Sequence, residues 1–157
     1  MFELPLRAFC LTGNNGADKI EMTMNEVFGF PEQTTFEGGY DFKGTLSISV
    51  GSYKVHSENL YSSTGALHSF NISLIKCCDT LSGTANYARM YEKNLEFKVK
   101  MTTLGHAIIA GEFRECSHLL NILLFEIPTD QTCIWSAIDD LKRIERLFGG
   151  YKGKRTE

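Results

Sequence analysis

The stretch TFEGGYDFKGTLSISVGSYKVHSENLY, residues 35–61, decides the fold class. Tyr40, Phe42, Leu46, Ile48 and Val50 alternate with Asp41, Lys43, Thr45, Ser47 and Ser49; Gly51-Ser52 interrupts, and alternation resumes. Period-two alternation puts one row of side chains on each face of a strand. A Gly-Ser pair between two such runs is a tight hairpin loop. With Gly51 and Ser52 in the loop, Val50 faces Tyr53, Ile48 faces Val55 and Leu46 faces Ser57, so one face is apolar. The other face carries Lys43, Thr45, Ser47, Ser49, Lys54, His56 and Glu58. A slip of one residue would bury these charges, which fixes the register.

Strands continue on both sides. FELPLRAFCL, residues 2–11, reads as a strand that Pro5 restricts to an edge or an irregular piece. KIEMTMNEV, residues 19–27, alternates cleanly. NLEFKVKMTT, residues 94–103, places Leu95, Phe97, Val99 and Met101 on one face, and AIIAGEFREC returns after a turn. A three-residue Leu104-Gly105-His106 loop there sets Met101 opposite Ile109, Val99 opposite Gly111 and Phe97 opposite Phe113. Gly111 then marks a bend or a close backbone approach. ANYARMY, residues 85–91, reads as a further short strand. HLLNILLFEIP, residues 118–128, is apolar on both faces and reads as a central or covered strand that Pro128 ends.

Two segments carry helical periodicity instead. In SSTGALHSFNISLIKCCDTLSG, residues 62–83, Leu67, Phe70, Leu74 and Leu81 recur at helix spacing, with Ser62, Ser63 or Thr64 as the cap and Gly83 as the stop. In DQTCIWSAIDDLKRIERLFGG, residues 130–150, the inner stripe runs through Ile134, Ala137, Ile138, Leu141, Ile144 and Phe148, between a cap at Asp130 or Thr132 and Gly149. The order is four strands, a helix, a short strand, three strands and a helix. The expectation is an α+β domain over 1–150: a hairpin-rich antiparallel sheet of six to seven strands with both helices on its apolar face. Residues 151–157, YKGKRTE, read as a mobile polar tail.

The chain has 157 residues, enough to bury a core without covalent staples. Its net charge of −3 speaks against nucleic acid as a direct partner, because phosphate binding needs a basic stripe. No run approaches a membrane span, and the start lacks the layout of a signal peptide. Cys10, Cys77, Cys78, Cys116 and Cys133 are odd in number without a CxxC spacing, which reads as reduced, mostly buried thiols in a cytoplasmic protein.

No catalytic or metal motif is present. His56, His68, His106 and His118 form no HxH, HxxxH or HExxH pattern, and Cys116 with His118 falls short of a zinc ligand set. Neither a nucleophile elbow nor a phosphate loop occurs. The residues alone therefore point to no metal site and no recognisable reaction. The candidates that remain are surface groups. Glu37, Tyr40 and Asp41 flank Gly38-Gly39, which reads first as backbone freedom at a strand entry and second as an exposed edge. Lys43, His56 and Glu58 lie on the polar ribbon face. Tyr61 stands where the ribbon meets the first helix, and a tyrosine offers contact area with a polar tip.

Taken together, EGGYDFKGTLSI, ENLYSSTGAL, NLEFKVKMTTLGHAIIAGEF and TDQTCIWSAIDDLK resemble the WapI-type immunity proteins of bacteria. The features that carry the likeness are Leu95, Phe97, Val99, Thr102, Gly105 and His106 of the second hairpin and Thr129–Thr132 before the last helix. The likeness covers residues 18–148. It implies a cytosolic, cofactor-free protein that binds and neutralises the C-terminal domain of a bacterial toxin, a nuclease acting on tRNA in the WapI type. The family likeness transfers no contact residues, so Glu37, Tyr40, Asp41, Lys43, His56, Glu58 and Tyr61 are nominated as partner contacts on physical grounds. Two other readings compete. One is a small-ligand or lipid-type carrier with a pocket lined by Met22, Met24, Phe42, Phe97 and Phe113. The other is an enzyme that converges His56, His106 and Glu112 in a cleft.

Overall fold

Val50 faces Tyr53, Ile48 faces Val55 and Leu46 faces Ser57, the pairing that the alternation dictates. The computed structural model describes residues 2–89, 91 and 93–154. In it, β1 (Leu6–Thr12), β2 (Lys19–Val27), β3 (Asp41–Val50) and β4 (Tyr53–Ser63) form a four-stranded antiparallel meander, from which the chain passes into α1 (Thr64–Thr80). A second meander of β5 (Thr84–Tyr87), β6 (Leu95–Met101), β7 (His106–Arg114) and β8 (Ile122–Asp130) leads into α2 (Gln131–Phe148). The fold is α+β and antiparallel, but the single sheet of six to seven strands is in fact two sheets of four. The reason is α1: β4 runs straight into it, and β5 pairs with β6 alone, so no strand of one meander extends the other.

The same joint closes both halves. Ser63 caps α1 and Asp130 caps α2, their side chains accepting from Ala66 N and Cys133 N. Each cap lies opposite the first residue of its meander's third strand, Ser63 across from Asp41 and Asp130 across from His106. The first helical amide then donates one residue further back, Thr64 N to Tyr40 O and Gln131 N to Gly105 O, both at 2.8 Å. Beyond the capping oxygen, backbone groups make this joint, so its two copies need no common sequence.

The helices do not lie side by side on one sheet face. α2 packs on β1, α1 packs on β5, and the helices pack on each other. One continuous core fills the space between, with Phe9, Met22, Phe42, Ile48, Phe70, Val99, Ile109 and Ile138 wholly buried. Phe70 of α1 sits between the sheets, its ring centroid 6.0 Å from Phe9 of β1 and 5.2 Å from Phe97 of β6.

Four local expectations need correction. The second hairpin loop is Thr103-Leu104-Gly105, one residue earlier than read: Thr102 N donates to His106 O, and Leu104 and Gly105 take positive φ. Met101 therefore faces Ala107, Val99 faces Ile109 and Phe97 faces Gly111. A Cβ on Gly111 would overlap Phe97, so the close approach exists, against a different partner. Next, α1 is closed by Leu81 in the left-handed region, φ 52°, two residues before Gly83. Third, β8 is an edge strand, not a central one, and Pro128 lies inside it. Finally, the tail is docked through residue 154. Tyr151 O accepts from Gly39 N, and the Tyr40 hydroxyl accepts from Lys154 N at 2.7 Å while donating to Pro31 O at 2.6 Å. Met90, in the short strand read at 85–91, and residues 155–157 of the tail fall outside the described residues.

The docking of the Gly38-Gly39 corner onto α1 depends on glycine. Gly38 and Gly39 have φ of 102° and 68°, and a Cβ on Gly65 would overlap the Gly38 carbonyl. Gly65→Ala is expected to lower unfolding free energy by about 2–3 kcal/mol. Tyr40→Phe, which deletes a hydroxyl that bonds Pro31 O and Lys154 N, is expected to cost about 1–3 kcal/mol. Urea denaturation followed by circular dichroism measures both.

Candidate functional site

The nominated residues separate into three groups. Tyr40 is wholly buried and edge-on to Phe30, with centroids 5.2 Å apart, so it is a core residue and not an exposed contact. The sequence pattern had already placed it on the apolar row with Phe42; the adjoining Gly38-Gly39 pair misleads by suggesting an open edge.

Glu37 and Asp41 belong to an ion cluster around Arg89, just after β5. Arg89 is buried, with its Nη2 2.6 Å from Glu37 and 3.3 Å from Asp41, and its Nε also donates to Glu37 at 3.1 Å. One guanidinium thus ties the second meander to the corner that opens β3. Desolvation pushes the Asp41 carboxyl above its ordinary value of 3.8; Arg89 pulls it down in part and Glu37 adds to the rise. Sequence reasoning missed Arg89 because ANYARMY carries little periodicity. Nearby, burial pushes the Tyr87 phenol up to about 12, in spite of its hydrogen bond with Ser62.

Lys43, His56, Glu58 and Tyr61 do lie on the outer face of the first sheet. Lys43 pairs across the strands with Tyr61, and His56 Nε2 stands 3.5 Å from Glu58. Small polar residues, Thr23, Thr45, Ser47 and Ser49, pave this face, which makes it flat and hydrophilic. Its end at Lys54–His56 borders a groove of about 510 Å³, whose far wall is Asn121, Ile122 and Leu123 at the start of β8.

The outer face of the second sheet is different in kind. Phe125, Ile127 and Thr129 of β8 point into the core, while Ile122, Leu124 and Glu126 point outward, with Leu124 73% exposed. Leu124 lies opposite Glu112, and Glu112 lies opposite Glu96. Like charges facing each other across strands destabilise a sheet by a few tenths to about 1 kcal/mol. The floor beside them is Ala110 and Gly111, in a depression of about 370 Å³. The signal for this edge was Pro128, since proline in a sheet favours an edge strand.

The competing sites fare differently. Met22, Met24 and Phe42 are wholly buried, and Phe97 and Phe113 nearly so. The two grooves on the sheets reach Phe97 and Phe113 but none of the other three, so these five side chains are core. His56 lies on the first sheet, whereas His106 starts β7 and Glu112 lies further along it on the outer face of the second sheet. Among the described residues, no three His, Cys, Asp or Glu side chains are placed to hold a metal ion. No helix there is long and apolar enough to cross a membrane. Burial pushes the Cys78 thiol up to about 11 and raises Cys77 and Cys10.

A family model described as the immunity protein WapI-like family matches residues 10–149. The chain belongs to that family. The match runs from β1 to the end of α2 and takes in both meanders and both helix joints. Among the curated proteins and among the solved structures, none matches the chain. The WapI-like domain thus includes the Arg89 cluster and both outer sheet faces.

Arg89→Met is expected to cost about 3–5 kcal/mol at neutral pH, because it leaves two carboxylates without their buried cation. The pH dependence has a definite sign. Asp41 has a folded value above its unfolded one, so it favours the fold fully below its ordinary 3.8, and this contribution fades as pH rises through the raised folded value. Without Arg89 the folded value rises further. The deficit of the variant should therefore shrink as pH falls from 7 towards 4. Urea midpoints across that range test it.

Proposed function

We propose that this protein is an immunity protein that binds the C-terminal toxin domain of a secreted or contact-delivered bacterial toxin and blocks it without catalysis. The observation that carries the reading is the family match over residues 10–149, which spans both helices and every strand but the first part of β1. The proposed target is a nuclease domain, and the proposed place of action is the cytosol. A nuclease domain must hold nucleic acid phosphates and so tends to be basic, whereas this chain carries a net charge of −3. Opposite charges speed encounter and favour the correct partner. The contact face is proposed to include Lys43, His56, Glu58 and Tyr61, the nominated residues that remain on the surface.

The test uses the toxin domain encoded immediately upstream of this chain's gene, titrated by calorimetry and assayed for RNA cleavage. The expected result is binding in the nanomolar range, one to one, with cleavage abolished at equivalence. Tyr61→Ala should weaken binding about tenfold with the fold intact. An upstream domain that is not bound, or that cleaves undiminished when saturated, overturns the proposal.

A further inference from the structure

β8 is an edge strand whose outward backbone row can be identified. Pro128 O accepts from Asn14 N in the β1–β2 turn, at 3.0 Å, so the polar groups of Pro128 point away from β7. Strand residues alternate in this respect. Ile122, Leu124 and Glu126 therefore turn their N–H and C=O groups to the same open side. Among the described residues, these groups have no backbone partner beyond the strand. Pro128 fits the same pattern, since the N–H it lacks would point off the edge.

Natural sheets guard an open edge with charge, a short strand or a cover. Here β1 is packed by α2 and β5 by α1, while the other two edges, β4 and β8, meet the helices only lightly; of these, β8 presents Leu124 to solvent. Around Leu124 stand Glu96, Glu112 and Glu126, none in an ion pair among the described residues. The neighbouring cation on β7, Arg114, is turned to the Ser117 carbonyl at 3.4 Å. The edge thus offers unpaired backbone and an exposed leucine beside three carboxylates, two of which face one another; Lys98 lines the same depression but forms no ion pair with them among the described residues.

We propose that the open edge of β8 at Ile122–Glu126 is the anchor for the toxin domain, which adds an extended segment to the second sheet. The segment has alternating character: an apolar residue lies against Leu124, and Lys or Arg side chains on the same face reach Glu112 and Glu126. This is strand addition, in which main-chain bonds supply affinity and alternate side chains supply selectivity. A basic segment also relieves the repulsion between Glu96 and Glu112, which free protein leaves standing. The groove beside Ile122 and His56 continues this edge onto the first sheet, so the anchor adjoins the polar ribbon. The inference rests on the immunity reading and specifies its surface.

The test is amide hydrogen exchange by NMR on the full chain, free and saturated with the upstream toxin domain, together with calorimetry of two variants. Strand addition is expected to protect the amides of Ile122, Leu124 and Glu126, while Leu123 and Phe125, already in the ladder with β7, change little. Leu124→Pro removes an outward N–H without breaking that ladder and is expected to weaken binding about 100-fold or more. Glu112→Lys with Glu126→Lys, both reaching the outer face, should do the same with a melting temperature no lower than that of the wild type, and so covers the case in which the proline variant fails to fold. If the wild type binds and inhibits but the even-numbered amides stay unprotected and the double variant binds normally, the β8 anchor is overturned and the immunity reading stands. If the wild type does not bind at all, both fall.

Discussion

The ring of Phe70 touches Phe9 from the first sheet and both Phe97 and Tyr87 from the second, and the two halves of the molecule meet through it. Each meander has an apolar face that it cannot cover by itself. A sheet of this kind is stable only when a second layer buries that face. Here the layer is the other meander together with the helix pair, and Phe70 is the point where all of them converge. Tyr87 stacks on Phe97 at 5.2 Å and extends the contact to β5, beside which Arg89 reaches across to Glu37 and Asp41. Apolar contact and buried ion cluster act on the same joint from two sides. The first supplies the energy. The second fixes how the second meander sits against the corner that opens β3.

This arrangement frees the outer faces. Because every helix residue that packs is turned inward, both sheets show one bare surface, and the two surfaces differ. The first is paved with Ser and Thr and edged with mixed charge. The second has an open strand edge, an exposed leucine and three carboxylates, with Lys98 and Lys100 on the same face. A protein that only needed to be soluble would gain from a lysine at Leu124 or Glu112. Keeping acid and leucine there instead weakens the free sheet slightly and suits a surface that is completed by something else.

Strands with one wet and one dry face were legible because alternation encodes them directly. β2 and the β3–β4 hairpin, in its register, follow from residues 19–27 and 40–57. The caps of α2 and its inner stripe were equally readable. Where a residue's role depends on a distant partner, the sequence falls silent. Nothing near Glu37 or Asp41 announces Arg89, which lies 52 and 48 positions away. Tyr40 reads as an exposed edge only until Lys154 and Pro31 are known to meet its hydroxyl. β8 misled for a different reason: its outward Ile122 and Leu124 are apolar, so it reads as buried on both faces, and the pattern that normally separates core from surface is missing where a partner surface is proposed. The second hairpin slipped because Thr103-Leu104-Gly105 and Leu104-Gly105-His106 are both three-residue loops, and only the turn's own hydrogen bonds choose between them.

The contact of α2 with β1 joins nearly the whole length of the chain, with Arg7 Nε 3.2 Å from Asp140 and Lys154 N on the Tyr40 hydroxyl. Each hairpin is local and can pair as soon as it is made. α2, which packs on the first strand of the first meander, follows all eight strands in the chain. During synthesis, therefore, the first meander is made with part of its apolar face open and waits for α2. A chain that stops before α2 has both sheets but no cover over β1 and no closed core, so both outer faces come into being only with the helix that touches neither of them.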